Sequence, residues 1–254
     1  MREVTVRAVL LDMGGVLLEM HNESGLPEGE ADAAGRAELL ALLRERGGRA
    51  DEGDLERLLF APWRAEYRLR YEHQREAEWG PHVERLLAAT GAGVSPDEVL
   101  AAWFRPYGEA LRPLPGAAEA LRELRARGLA LGLVSNVALP GELYRRRLAA
   151  HGLADAFSAF RFSCDEGSRK PAPTMLLSAL AALGATPAEA VMVGDRRKSD
   201  VAAGRAAGTR TVWLRSHHDE GPEPDATIDS LAELPGALDS WTPPRPHTEG
   251  SSSP

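Results

Sequence analysis

The feature that most constrains this chain is an uninterrupted apolar run, Ala8-Val9-Leu10-Leu11, that stops at Asp12-Met13-Gly14-Gly15. A strand with one wet face alternates apolar and polar residues. A continuous run is expected where both faces are covered, as in the middle of a parallel sheet. A first strand is therefore predicted over Val4 to Leu11, ending at an aspartate in a loop.

The second half of the chain repeats the theme. Ala117 to Arg127 has helical periodicity, opened by Pro115-Gly116 and closed by Gly128. Leu129 to Val134 is continuously apolar and ends at Ser135-Asn136. A helix from Gly141 to Ala150, a short strand around Phe160 and Phe162, and an Ala/Leu-rich helix from Thr174 to Leu183 follow. Val191 to Val193 forms the next strand and ends at Gly194-Asp195, a helix runs to Ala207, and a last strand spans Thr209 to Leu214. Strands alternating with helices imply right-handed βαβ units, hence an α/β, three-layer Rossmann-like core with a parallel sheet. Ligands of such sheets bind beyond the carboxyl ends of the strands. Asp12, Ser135 and Asp195 all stand there.

Residues 19–111 break the alternation. Ala33 to Arg46, Asp54 to Phe60, Trp63 to Trp79, Pro81 to Ala89 and Pro96 to Tyr107 all read as helices. The last opens with Ser95-Pro96-Asp97-Glu98, a capping box with proline at the first helical position. The expected organisation is a core of residues 1–18 and 112–240, an inserted all-helical cap over residues 19–111 and a disordered Pro/Ser-rich tail at 241–254. The Gly- and Glu-rich segment Glu19 to Asp32 is a candidate hinge or lid.

Four elements stand in order: Asp12-Met13-Gly14-Gly15-Val16, Ser135-Asn136, Lys170-Pro171, and Gly194-Asp195 with Asp200 five residues on. Singly, each has an ordinary explanation. An aspartate or a Ser-Asn pair caps helices, and Lys-Pro and Gly-Asp are common turns. Together, in this order and at strand ends, they resemble the haloacid dehalogenase (HAD) superfamily. The resemblance covers roughly residues 6–18 and 112–214, with the helical insertion where that family carries its type-1 cap.

The resemblance implies a Mg²⁺-dependent phosphatase in which Asp12 attacks phosphorus and water hydrolyses the aspartyl-phosphate. Asp12 and Lys170 would be catalytic. Ser135, the amide of Asn136 and Lys170 would bind the phosphoryl group, and Asp12, the Gly14 carbonyl, Asp195 and Asp200 would hold the metal. The substrate would be a small phosphomonoester, such as a sugar phosphate. Most phosphatases of the family carry a second aspartate two residues after the nucleophile as general acid and base, and here that position is Gly14. Loss of such a group typically costs ~10²–10⁴ in rate.

Three readings compete. The first is a phosphatase that protonates its leaving group from elsewhere, with Glu19, His21 and His73 as candidates. The second is a metal-free 2-haloacid dehalogenase, which has little use for three carboxylates. The third is a non-catalytic phosphate-binding or interaction module. Glycine at 14 also lets backbone approach the phosphate and take positive φ, and leaves a space where an acid would stand.

Two further segments have both a functional and a plain reading. In Trp63 to Tyr71, helical spacing puts Trp63, Tyr67 and Tyr71 on one face and Arg64 and Arg68 together. This segment either faces substrate or packs its aromatics inside the insertion, with the arginines paired to Glu66 and Glu72; the second is preferred. His217-His218 reads as a solvated loop pair, and Cys164 is assigned no role.

The net charge of −8 argues against a nucleic-acid partner. The chain shows no signal-peptide pattern and no run long enough to span a membrane. One cysteine rules out an internal disulfide, and a cytoplasmic location is expected.

Overall fold

The computed structural model describes residues 5–20, 26–73 and 75–241, with the side chain of Tyr71 left out. His21, part of the candidate hinge and the tail beyond Trp241 lie outside these residues. The first strand is β1, Ala8–Leu11. A two-residue strand β2, Leu18–Glu19, follows and pairs antiparallel with β3, Arg112–Pro113. The remaining strands are β4 (Ala130–Ser135), β5 (Ala159–Phe162), β6 (Ala190–Gly194), β7 (Arg210–Leu214) and β8 (Ala226–Ile228). They form one sheet in the order β5-β4-β1-β6-β7-β8, every neighbouring pair parallel.

β1 lies in the middle, and its side chains alternate between two apolar layers. Val9 and Leu11 join the larger core, with Leu131, Leu133, Val191 and Val193. Ala8 and Leu10 join a smaller one under the helix Thr174–Leu183, with Leu176, Ala179 and Leu180. All four residues of β1 have no solvent exposure, which explains why the run is apolar without alternation. β8 was not anticipated. It is three residues long and only Ile228 is buried, so it carries too little periodicity to read.

Between β2 and β3 the chain is helical, with main helices at Gly29–Glu45, Gly80–Thr90 and Pro96–Ala110. Ser95 caps the last of these with the reciprocal Glu98 contacts of a capping box. Residues 52–67 run continuously helical, with a π-helical middle at Leu55–Phe60.

The helix expected from Trp63 to Trp79 is not one element. It ends at Tyr67, a four-residue turn covers Arg70–His73, and residues 75–79 are irregular. The cause is aromatic packing. Trp79 stacks on Trp63 with ring centroids 3.9 Å apart, whereas a continuous helix would hold residues 63 and 79 about 24 Å apart. Trp63 and Tyr67 stack at 4.7 Å, so these two aromatics pack within the insertion, while the Tyr71 side chain lies outside the described residues. The arginine pairing differs from expectation. Arg64 pairs with Glu56, and Glu66 instead meets the buried His82 at 3.0 Å, because the chain folds back before Glu72 comes into line.

Gly35 lets the helices Gly29–Glu45 and Pro96–Ala110 touch backbone to backbone, since a Cβ there would lie 2.1 Å from the Trp103 carbonyl oxygen. Alanine would gain about 1 kcal/mol of helix propensity, against roughly 1–3 kcal/mol of overpacking. Gly35→Ala is therefore expected to lower the urea midpoint of unfolding; an unchanged or raised midpoint would contradict this packing.

Candidate active site

The strand order decides the site. β1 sits between β4 and β6, so the groups at their carboxyl ends converge: Asp12 just past β1, Ser135 as the last residue of β4, and Asp195 just past β6. The Asp12 amide donates to the Val193 carbonyl at 2.9 Å, which extends the β1–β6 ladder to the aspartate itself. One side-chain oxygen of Asp12, Oδ1, accepts from the Ser135 hydroxyl at 2.6 Å and from the Met13 amide at 2.7 Å. It also meets the Lys170 ammonium at 3.1 Å. Three donors on one oxygen hold the carboxylate in place and leave its other oxygen outside this network.

Lys170 is 1% exposed. Its Nζ lies 2.7 Å from Asp200 Oδ1 and donates to the Val134 carbonyl at 2.8 Å. Burial alone would lower the lysine pKa, but the charges of Asp12 and Asp200 outweigh it, and the group is held charged. Asn136 fixes the lysine from behind: its amide donates to the Lys170 carbonyl at 2.9 Å and accepts from the Lys170 amide at 2.8 Å. The Asn136 side chain thus acts on the lysine backbone, a contact that spacing did not foretell.

The acidic groups gather more closely than one lysine can balance. Asp12, Asp195 and Asp200 are buried, and each offers an oxygen within 4.8 Å of the others. Asp200 is ordered by the Arg196 amide at 2.9 Å and by Lys170. Asp195 Oδ1 is buried with no hydrogen-bond partner. Burial, then the charges of Asp200 and Asp12, push Asp195 up to about 8. Burial likewise raises Asp200. A cluster short of positive charge, with one carboxylate oxygen unsatisfied, is the donor set a hard divalent cation takes.

Two glycines in the first loop differ in what they do. Gly15, not Gly14, takes the positive φ, at 70°, and a Cβ there would lie 2.5 Å from Asp195 Oδ2. At Gly14 a Cβ would lie 2.7 Å from Met20 Cγ. The space expected beside Gly14 is therefore filled by a methionine side chain.

These residues line a cavity of about 980 Å³. Asp12, Gly14, Ser135, Asn136, Lys170 and Asp195 are all in its wall, and Asp200 sits behind them, joined through Lys170. Of the suggested proton donors, Glu19 lines the cavity, whereas His73 is exposed and is not part of its lining. His217 and His218 also reach the wall, with His217 exposed as expected; the hydrogen bond from Ser216 Oγ to the Asp195 carbonyl, at 2.6 Å, brings their loop to the site. Tyr67, Glu76 and Arg169 complete one side. Spacing flagged Tyr67 and missed Glu76 and Arg169, which lie 93 residues apart in the chain and carry no motif.

Residues 6–208 match the sequence model of the haloacid dehalogenase-like hydrolases. The chain belongs to this family. It is 43% identical over 169 residues to a phosphoserine phosphatase of Thermus thermophilus, an alignment covering 62% of this chain and 66% of that one. Among solved structures it is similar to a HAD phosphatase of Thermococcus onnurineus, with TM-score 0.60 and 25% identity over 92% of this chain and 98% of that one. It is equally similar to a 2-haloacid dehalogenase of Pseudomonas syringae, with TM-score 0.63 and 25% identity over 94% of this chain and all of that one. Likeness at this level is shared by phosphatase and dehalogenase alike. Among the described residues no helix is long and apolar enough to cross a membrane.

The acidic cluster has a pH signature. Asp195 has its pKa raised to about 8 in the folded state, against about 3.9 unfolded. Such a group stabilises the fold fully below the unfolded value, and that contribution is lost as pH rises through the folded one. In the presence of chelator, the thermal midpoint is expected to fall between roughly pH 4 and 8, and Asp195→Asn to flatten the fall. A chelated protein whose midpoint rises over this range would refute the reading of the cluster.

Proposed function

We propose that this hydrolase is a Mg²⁺-dependent phosphatase that cleaves a small phosphomonoester through an aspartyl-phosphate on Asp12. The observation that carries the reading is the buried group Asp12, Asp195 and Asp200, with one unpartnered carboxylate oxygen and a single lysine among them. A metal-free attack on carbon by Asp12 has little use for a cluster of three buried carboxylates. They fit a site that handles a divalent cation and phosphate.

The chain's own groups supply the steps. Ser135, Met13 and Lys170 hold Asp12 by Oδ1, which leaves Oδ2 to attack phosphorus. The bond from Asp12 to phosphorus forms as the bond to the leaving oxygen breaks. Water then attacks phosphorus, phosphate departs and the carboxylate returns. Lys170 offsets charge on the phosphoryl oxygens, and the main-chain amide of Asn136 donates to them, with the Ser135 hydroxyl turning from Asp12 to the phosphoryl group when it binds. Mg²⁺ held by Asp12, the Gly14 carbonyl, Asp195 and Asp200 would neutralise the charge shared by carboxylates and phosphate.

The leaving oxygen needs a proton that Gly14 lacks the side chain to give, and Glu19 is, after Asp12 itself, the cavity-lining carboxyl nearest in sequence. The helical insertion, through Tyr67 and Glu76, would act as the cap that excludes water. The Thermus relative adds phosphoserine to the sugar phosphates as candidate substrates.

Wild-type protein is expected to release phosphate from a generic aryl phosphate with Mg²⁺ and to stop on chelation, and Asp12→Asn to abolish turnover with the fold intact. Halide release from a 2-haloacid without metal would instead favour the dehalogenase, which the Pseudomonas likeness keeps in contention. No turnover of either kind would leave the non-catalytic module.

Gly14→Asp alone is expected to lower activity, because the new side chain meets Met20. Gly14→Asp with Met20→Ala should exceed the single variant by about tenfold or more if the restored acid protonates the leaving group. A double variant no better than the single one would show that proton transfer does not limit the reaction.

A further inference from the structure

In a displacement at phosphorus the attacking and leaving oxygens lie roughly in line. With Asp12 attacking, the leaving oxygen points away from β1, and a proton must reach it from a part of the cavity wall outside the sheet. Apart from Asp12 and Asp195, the carboxyls of that wall are Glu19, Glu76, Asp219 and Glu220. Glu19, Asp219 and Glu220 are exposed, whereas the Glu76 side chain is only 4% exposed. Glu76 enters from the irregular stretch of the helical insertion.

This carboxyl is held at one oxygen and open at the other. Oε1 accepts from the Ser163 hydroxyl at 2.8 Å and lies 3.5 Å from Arg169 Nη1. Oε2 is buried with no hydrogen-bond partner. Both tethers lead to the phosphoryl site. Ser163 Oγ also accepts from the Val137 amide at 2.9 Å, and Val137 follows Asn136 in the chain. Arg169 directly precedes Lys170. Glu76 is therefore anchored beside the two residues assigned to the phosphoryl oxygens, Asn136 and Lys170, and through Oε1 only.

The tether accommodates both charge states of the carboxyl. Ser163 Oγ lies 3.1 Å from the Val137 carbonyl as well as 2.8 Å from Glu76 Oε1, and its single proton can go to either. With Glu76 ionised, the hydroxyl serves the carboxylate; with Glu76 protonated, it can turn to the carbonyl instead. A proton donor works best with a pKa near the working pH. Burial is the largest influence on Glu76 and raises it from its ordinary value, with Arg169, Ser163 and Arg70 opposing.

We propose that Glu76 is the proton-transfer residue of this site, donating from Oε2 to the leaving oxygen as the bond from that oxygen to phosphorus breaks. The proposal rests on the phosphatase reading. The alcohol departs with the proton, and Glu76 is left as a carboxylate. It then takes a proton from the water that attacks the aspartyl-phosphate, so that phosphate leaves with Asp12 and Glu76 both restored.

The test compares wild type with Glu76→Gln, in Mg²⁺, on phenyl phosphate, 4-nitrophenyl phosphate and 2,4-dinitrophenyl phosphate. The three esters are similar in shape, and each nitro group makes the leaving phenol more acidic and less in need of a proton. The ratio kcat/KM reports the steps up to the aspartyl-phosphate, which separates donation of the proton from the later attack of water. The loss in Glu76→Gln is expected to be about 10²-fold or more on phenyl phosphate, and to shrink by about tenfold or more on 2,4-dinitrophenyl phosphate.

A loss by the same factor on all three esters, as removal of a strut between insertion and core would give, overturns the proposal while the phosphatase reading stands. Undiminished turnover of phenyl phosphate by Glu76→Gln does the same. If wild type releases phosphate from none of the three, both readings fall. Should Glu76→Gln not fold, Glu76→Asp, which withdraws the carboxyl by one methylene, is read by the same dependence on the leaving group.

Discussion

The Lys170 ammonium, held between Asp12 and Asp200 with almost no exposure to water, is the contact on which the site depends. At an effective dielectric of about 20, two unit-charge contacts near 3 Å are together worth on the order of 10 kcal/mol. Removing the three ions from water costs several kcal/mol each. The terms are of similar size, so the arrangement persists because the fold holds it. The lysine's ties to the Val134 carbonyl and to Asn136 on both sides of its peptide supply the hold. Asp195 Oδ1 receives no such partner, and burial, followed by the charges of Asp200 and Asp12, raises its pKa.

The parallel sheet makes that concentration of charge possible. Neighbouring strands lie about 4.8 Å apart, so the ends of β4, β1 and β6 bring Ser135, Asp12 and Asp195 within reach without any long side chain spanning the gap. The cavity opens where these strands end, and the helical insertion returns to it with Tyr67 and Glu76. The proposed nucleophile and metal ligands thus stand at the carboxyl end of the sheet, and other residues of the cavity wall come from the insertion. This division lets one chemistry serve different substrates.

Gly14 links sequence and space differently. As a sequence position it suggests a missing acid and an open space. In the structure Met20 occupies that space, so Gly14 and its apolar neighbour form one unit. The positive φ belongs to the next residue, Gly15, where the close approach of Asp195 forbids a side chain.

How much could be read in advance follows from the range of each physical signal. The apolar run of β1, the helix-strand alternation after Leu114 and the Ser95 capping box are local, and each appears where periodicity and capping put it. Asp12, Ser135 and Asp195 were legible as candidates because they stand at strand ends, and Lys170 because the ordered set resembles the family's motifs. The fold-back between Tyr67 and Trp79 was not legible, since a ring stacked across sixteen residues outweighs helical continuity and leaves no periodic trace. Nor were Glu76, Arg169, Met20 and the two histidines readable as neighbours of the site. By itself the sequence determined the α/β class, the order of the motifs and the insertion's helical nature, because these rest on contacts between residues close in the chain. Only the tertiary structure decided which side chains share the cavity, because burial and unpaired charge arise where distant segments meet.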